Sequence, residues 1–342
     1  MKIIIDGTKM KDFYSGLGQY SYHFIDELLN QEPSLDIHVY GSKPPQTALD
    51  KELFIHASFL NRVFPQSLPK SDIWHSLFQY SAYQPKRQVQ ILTVHDLNFL
   101  RDKSKTKQQK YLRRLQKECD NAIHVICISQ FTQKELLDNI KIEDTKTSVI
   151  YNGIKAFKGT IKKPLFTPEK EFLFSLGVFK STKRFDSLVK MMEGIQDKEL
   201  IIAGNYNTPY GKQVKDLINQ QGLQDRVHLV GIIPEEEKQW YLQHCAAFVF
   251  PSITEGFGMP VVEAMLHGKK CILSNESSLP EIGQDKAYYF KDLELDQMVN
   301  AVEEALSDDN FDAQAVIVHA KQFTWERNVE ETMGVYRKVM GK

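Results

Sequence analysis

Short apolar runs alternate with amphipathic segments along this chain, and that alternation limits the fold more than any other feature. A first set of runs lies at residues 3–6, 36–40, 90–94, 123–128 and 148–150. A second lies at 172–176, 199–203, 227–230, 246–250 and 270–273. Between them, segments such as 19–29, 132–137, 187–193, 213–219 and 235–244 carry apolar residues at helical spacing. Strands that are apolar throughout, rather than on every second residue, are buried on both faces, which predicts parallel sheets covered by helices. The pattern occurs twice. It is interrupted at 159–168, where Pro164, Pro168 and the basic pair Lys162 and Lys163 occur without a clear period and read as a linker. The expectation is α/β: two Rossmann-like, doubly wound domains over 1–160 and 161–325, then a helical tail over 326–342. Leading into that tail, Trp325, Val329, Met333, Tyr336 and Met340 recur at spacings of three and four. Ligands of such sheets bind beyond the carboxyl ends of the strands, so two facing domains would share one site in a cleft.

Composition narrows the function. The 342 residues hold 43 basic and 44 acidic side chains, a net charge of −1, which excludes a binder of nucleic acid by bulk electrostatics. That balance sums two unlike halves: residues 1–160 hold 22 Lys/Arg and 17 Asp/Glu, and residues 161–342 hold 21 and 27. No run reaches the ~18–20 apolar residues of a membrane span, and Asp6 interrupts the apolar start before the ~7–15 residues of a signal peptide. Cys119, Cys127, Cys245 and Cys271 form no C-x-x-C pair and read as small buried hydrophobes of a reducing, cytoplasmic compartment.

The segment richest in chemistry runs from Phe250 to Met265. A strand ends at Phe250, a glycine loop carries Glu255, Gly256, Phe257 and Gly258, and a helix begins near Met259 and Pro260. Backbone N–H groups at such a helix start suit an anionic or hydroxyl-rich ligand. Glu255 before the helix and Glu263 in its second turn are spaced to hold the two ends of one ligand through its hydroxyls. A tight strand–helix turn with a capping Glu would read the same way. A second strand–helix junction holds Gly177, Lys180, Thr182, Lys183 and Arg184, cations able to neutralise a leaving diphosphate, or simply a solvated cluster at a helix start. After the first strand comes Tyr14, Ser15, Gly16, Leu17, Gly18, in which glycine permits close backbone approach. As a dinucleotide fingerprint it fails, because Ser21 stands where the third glycine belongs. His95 and Asp96 end a buried strand and point to the ligand side of the sheet; His75, at the end of the segment Asp72-Ile73-Trp74-His75, is a weaker candidate.

In this order the segments resemble the retaining glycosyltransferases of family 4, which have the GT-B fold. Glu255 to Glu263 matches the E-x7-E signature, with Gly231, Pro234, Pro280 and the Asn152–Gly153 turn in matching places. The resemblance implies that the C-terminal helix returns to pack on the N-terminal domain, which binds the acceptor, while the second domain binds a nucleoside-diphosphate sugar. It implies that Glu255, Phe257 and Gly258 meet the donor sugar, and Glu263 the ribose. It adds Gly16, Gly18, Gly177, Gly231, Met259, Lys183 and Arg184 to the donor site, and Tyr14, His75 and Asp96 to the acceptor site. His95 would lie near the transferred sugar; His95, Lys183 and Glu255 are the catalytic set. Where family members commonly carry Arg-Lys-Asn, this chain has Thr182, Lys183 and Arg184, so Arg184 or Lys180 takes the place of the usual Arg. The likeness leans toward GDP-mannose as donor and toward lipopolysaccharide, capsule or related polysaccharide as product.

No cofactor is implied, and no D-x-D motif offers a metal site, so a metal-independent reaction is expected. From Arg101 to Lys117 eight basic residues face one Asp. They form either a solvated helix face or a peripheral contact with anionic membrane, which would place the chain at the inner face of the cell membrane. The rival readings are a sugar-nucleotide 2-epimerase, a non-catalytic subunit of a glycan-synthesis complex and, more weakly, an NAD-dependent dehydrogenase.

Overall fold

The computed structural model describes the chain except Tyr14, Pro45, Gln46, Arg87 and Lys342. It comprises two compact units, Met1–Gly153 with Phe323–Lys342, and Ile154–Gln322. The first crossing falls at Gly153, before the division expected at 160, and the return falls at Phe323, before 326.

The first unit holds strands β1 (Lys2–Asp6), β2 (Asp36–Tyr40), β3 (Phe54–Ile55), β4 (Ile73–Ser76), β5 (Val89–Val94), β6 (His124–Cys127) and β7 (Thr147–Val149). They form one parallel sheet in the order β3-β2-β1-β4-β5-β6-β7. Ile3 and Ile5 of the central β1 pair with Ile37 and Val39 on one side and Ile73 and the buried His75 on the other, so β1 is enclosed by buried neighbours. The direction of winding reverses between β1 and β4, and the crevice at such a reversal is where ligands of these sheets bind. The Trp325–Val339 helix completes this unit, with Trp325, Val329, Met333 and Tyr336 entering the same core as Tyr20 and Phe24. Gly153 makes room for it: a Cβ there would lie 2.3 Å from the Trp325 backbone nitrogen. Asn328 Nδ2 donates to the Tyr151 carbonyl at 2.7 Å and fastens the same junction.

The second unit holds β8 (Phe172–Leu176), β9 (Glu199–Ala203), β10 (Val227–Gly231), β11 (Ala247–Phe250), β12 (Lys270–Ser274) and β13 (Tyr288–Phe290). Its parallel order is β10-β9-β8-β11-β12-β13, with the reversal between β8 and β11. Each expected strand is present. β3, β4 and β13 were not expected: β3 is two residues long, β13 is three, and β4 mixes His75 and Ser76 with Ile73 and Trp74.

Candidate active site

The reversal in the second sheet brings the two most informative segments together. β8 leads through Gly177 into the Ser181–Lys183 turn, and β11 leads through Pro251 into the Glu255 loop. Thr182 ties them: its carbonyl accepts from the Ile253 N–H at 2.9 Å and from Ser252 Oγ at 3.4 Å. Across this junction Lys183 Nζ forms a hydrogen-bonded ion pair with Glu255 Oε1, and the two side chains are 17% and 13% exposed. The ammonium also sits over the Phe250 ring, 5.0 Å from its centre.

The backbone of the Glu255 loop is braced from β12's following turn. The Glu255 N–H donates to Ser277 Oγ at 3.0 Å, and Ser278 Oγ donates to the Phe257 carbonyl at 2.8 Å. Gly258 then starts the Met259–Leu266 helix with φ at +106°, where a Cβ would come 2.9 Å from a Leu279 methyl. Conformation and space both demand glycine there. No side chain caps this helix, and Pro260 occupies its first turn. The Phe257 ring is buried, so its part in a ligand contact belongs to its backbone. Glu263 lies one turn further on, and Oε1 accepts from Lys238 Nζ at 2.9 Å.

The floor of this region comes from three neighbouring strand ends. Gly177, Gly204 and Gly231 follow or end β8, β9 and β10; Gly177 N–H donates to the Ala203 carbonyl at 3.0 Å and Gly204 N–H to Gly231 at 2.7 Å. A Cβ on Gly204 would lie 1.9 Å from the Gly177 carbonyl oxygen. Arg184 has left-handed backbone, and its guanidinium is drawn to Asp186 (3.7 Å) and Ser187 (3.3 Å), while Lys180 is exposed and has no ion pair among the described residues. A separate cavity of about 630 Å³ follows the outer side of β10, between Phe166, Ile218 and Tyr241, and none of these site residues lines it.

In the first unit the candidates separate. His95 follows β5, is 7% exposed, and its Nε2 meets the Leu77 carbonyl at 2.8 Å. A carbonyl only accepts, so Nε2 carries the proton and Nδ1 is left as an acceptor. Burial holds its pKa down to about 4, so the ring is neutral at physiological pH. Tyr20 packs edge-on against it with centroids 4.6 Å apart. Asp96 is part-exposed, and Oδ1 accepts from the Asn98 N–H at 2.9 Å, closing an Asx turn. Gly16 is exposed at the start of the Gly16–Gln31 helix.

His75 is corrected by the structure. It is wholly buried, with Nδ1 on Tyr336 Oη at 2.7 Å and Nε2 on Thr93 Oγ1 at 2.8 Å. Both ring nitrogens are spent on joining the sheet to the C-terminal helix, and no edge is open to an acceptor. Gly18 is likewise structural: its N–H donates to the Ser15 cap at 3.1 Å, and a Cβ would lie 2.1 Å from the Asp12 carbonyl oxygen. Tyr14 lies outside the described residues.

The basic segment forms the Phe99–Asp102 turn and the Lys105–Asn121 helix. Two of its cations serve the fold: Arg101 pairs with Glu135 at 2.5 Å, and Arg114 donates to the Tyr80 and Ser81 carbonyls at 2.7 and 3.0 Å. Lys103, Lys105, Lys107, Lys110, Arg113 and Lys117 are exposed, with no ion pair among the described residues. No helix of the described residues is long and apolar enough to cross a membrane.

Sequence reasoning missed Gly204, Lys238, Ser277 and Ser278. Gly204 carried a usable signal, a glycine directly after an apolar run like Gly177 and Gly231. Lys238 sits in an ordinary charged helix start, and the serines act through backbone contacts that no spacing announces.

The fold and this constellation define the class: two parallel-sheet units of the GT-B fold. Sucrose-phosphate synthase from Thermosynechococcus elongatus matches over 100% of both chains with a TM-score of 0.77 at 18% identity. The model of glycosyltransferase family 4 matches residues 15–156, and that of glycosyl transferases group 1 matches residues 157–322. The chain belongs to this glycosyltransferase family. Among curated relatives, O-antigen chain mannosyltransferase B of Escherichia coli is 32% identical over 114 residues, and O-antigen chain mannosyltransferase RfbU of Salmonella typhimurium is 27% identical over 207. These alignments cover 32% and 60% of this chain, and 30% and 57% of the relatives' own lengths.

Proposed function

We propose that this chain transfers a glycosyl group, with retention at the anomeric carbon, from a nucleoside-diphosphate sugar to a glycan or lipid-linked acceptor in surface-polysaccharide synthesis. The observation that carries the reading is the Lys183–Glu255 pair at the reversal of the second sheet, beside the uncapped Met259–Leu266 helix that bears Glu263. Glu255 Oε1 is engaged, which leaves its second oxygen for the hydroxyls of the donor sugar. Lys183 meets the diphosphate, the amides of Phe257 and Gly258 join Glu255 on the donor sugar, and Glu263 meets the ribose. GDP-mannose is the proposed donor, supported by the two mannosyltransferase relatives.

In the proposed reaction the bond from the anomeric carbon to the diphosphate oxygen breaks while the acceptor hydroxyl bonds on the same face. The leaving diphosphate takes the acceptor's proton. Protein catalysis then consists of positioning and of charge stabilisation on the leaving group, with no nucleophile and no divalent ion required. The neutral His95 accepts a hydroxyl of the transferred sugar through Nδ1, and Asp96 serves the acceptor. The exposed cations of the Lys105–Asn121 helix are proposed to rest on anionic membrane.

A thermal-shift panel of GDP, UDP, GDP-mannose and UDP-sugars tests the reading, because a ligand of the native state raises the melting temperature. The cognate nucleotide raises it, with EDTA making no difference, and the sugar then passes to an acceptor. No shift with any nucleotide removes the proposal. ManNAc appearing from UDP-GlcNAc alone makes the chain an epimerase, and binding without turnover a silent subunit.

A further inference from the structure

We propose that Lys238 is a positioning residue for Glu263, fixing the carboxylate that receives the nucleotide's ribose. The inference rests on the donor-site reading above. Lys238 lies early in the Glu235–His244 helix and Glu263 in the second turn of the Met259–Leu266 helix, so the contact locks two helices side by side. Lys238 Nζ is 2.9 Å from Glu263 Oε1 and 3.0 Å from Glu235 Oε2, and its side chain is 16% exposed.

The second carboxylate is itself braced. Gln239 Nε2 donates to Glu235 Oε1 at 2.6 Å, and Gln239 Oε1 meets His267 Nε2 at 2.6 Å. The ammonium is therefore held by a second contact besides Glu263. Burial alone would lower the Lys238 pKa, but Glu263 and Glu235 outweigh it and raise the pKa, so the side chain stays charged through the neutral range.

The arrangement divides the work of Glu263 between its oxygens. Oε1 is the anchor. Oε2 has no partner among the described residues and is 23% exposed with its side chain, which leaves it to accept from a hydroxyl. One cation faces two carboxylates, so the Lys238–Glu263–Glu235 group keeps a net negative charge and Glu263 remains a strong acceptor. Without Lys238, Glu263 is free to turn toward water, and it faces Glu235 with no cation between them.

The test uses the full chain with Lys238→Met, Lys238→Arg, Glu263→Gln and the Lys238→Met/Glu263→Gln double variant. Calorimetry measures affinity for GDP, with UDP in a parallel arm, and kinetics measures donor KM and kcat. Lys238→Met is expected to weaken nucleotide binding and raise donor KM by at least about 10-fold, the lower end for a charged hydrogen bond, with kcat within about 3-fold of wild type. Lys238→Arg is expected to restore most of the affinity, and the double variant to bind no worse than Glu263→Gln alone. Should the Met variant lose its native circular dichroism, Lys238→Gln takes its place. Unchanged affinity on losing Lys238, while Glu263→Gln weakens binding, overturns the proposal and leaves the donor site standing. Fully additive losses overturn it too, because Lys238 would then act on the nucleotide independently. If Glu263→Gln itself changes nothing, the ribose assignment falls, and this proposal with it.

Discussion

Replacing Lys183 with Met keeps the stem over the Phe250 ring and removes only the charge. Lys183 and its partner are 17% and 13% exposed, so an effective dielectric near 20 is apt; two unit charges ~4 Å apart then interact by ~4 kcal/mol. The diphosphate gains about one charge as the glycosidic bond breaks, and Glu255 shares the same ammonium, so about 3 kcal/mol of differential stabilisation is at stake. At 1.36 kcal/mol per tenfold that is a loss of about 100-fold or more in kcat/KM. The variant also strands Glu255, a mostly buried carboxylate, which costs roughly 1–3 kcal/mol of stability. The assay is steady-state transfer from the nucleotide sugar selected by thermal shift, with donor binding and melting measured on the same preparations. Lys183→Arg keeps the charge and is expected to retain much of the rate. A folded Lys183→Met with kcat/KM within about fivefold of wild type refutes the leaving-group role.

Acid should act through the buried histidines. His75 is held to about 3 by burial and by His95, and His95 to about 4 by burial, both well below the ordinary imidazole value of about 6.5. The unfolded chain binds these two protons first, so stability is full above about pH 6.5 and falls as pH drops toward 4, by up to ~1.4 kcal/mol per pH unit for each group; urea melts between pH 7 and 4.5 that show no such fall, or an equal fall in His75→Gln, contradict this. Gly258→Ala forces a left-handed residue against Leu279, so a loss of roughly 1–2 kcal/mol and weaker nucleotide binding are expected from denaturation and calorimetry. Sedimentation with vesicles of phosphatidylglycerol and phosphatidylcholine checks the basic helix: replacing Lys105, Lys107 and Lys110 with Gln should abolish most binding to the anionic vesicles, and equal binding to neutral phosphatidylcholine vesicles ends the membrane proposal.

The parts of the fold legible in the sequence were those whose residues must be apolar on every side. The interior strands β1, β5, β8 and β9 announce themselves because helices cover both faces. β4 hid because it carries a histidine whose polar atoms are satisfied by Thr93 and Tyr336, a pairing that exists only once the C-terminal helix has docked. The same fact turned His75 from an acceptor candidate into a structural link. In the site, Glu255, Gly258 and Glu263 were readable because loop and helix geometry fixes their spacing. Lys238 was not, since its partner lies in another helix, 25 positions along the chain.

The first unit is interrupted, leaving at Gly153 and resuming at Phe323, so its closing helix is made only after the whole of the second unit. Ile154–Gln322 is one unbroken stretch, and it emerges from the ribosome complete while the earlier sheet still lacks its closing helix. Until that helix arrives, Tyr20, Phe24 and His75 have an uncovered flank. Premature termination near residue 322 would therefore yield a product in which the later-made half is sound and the earlier-made half is a substrate for proteolysis.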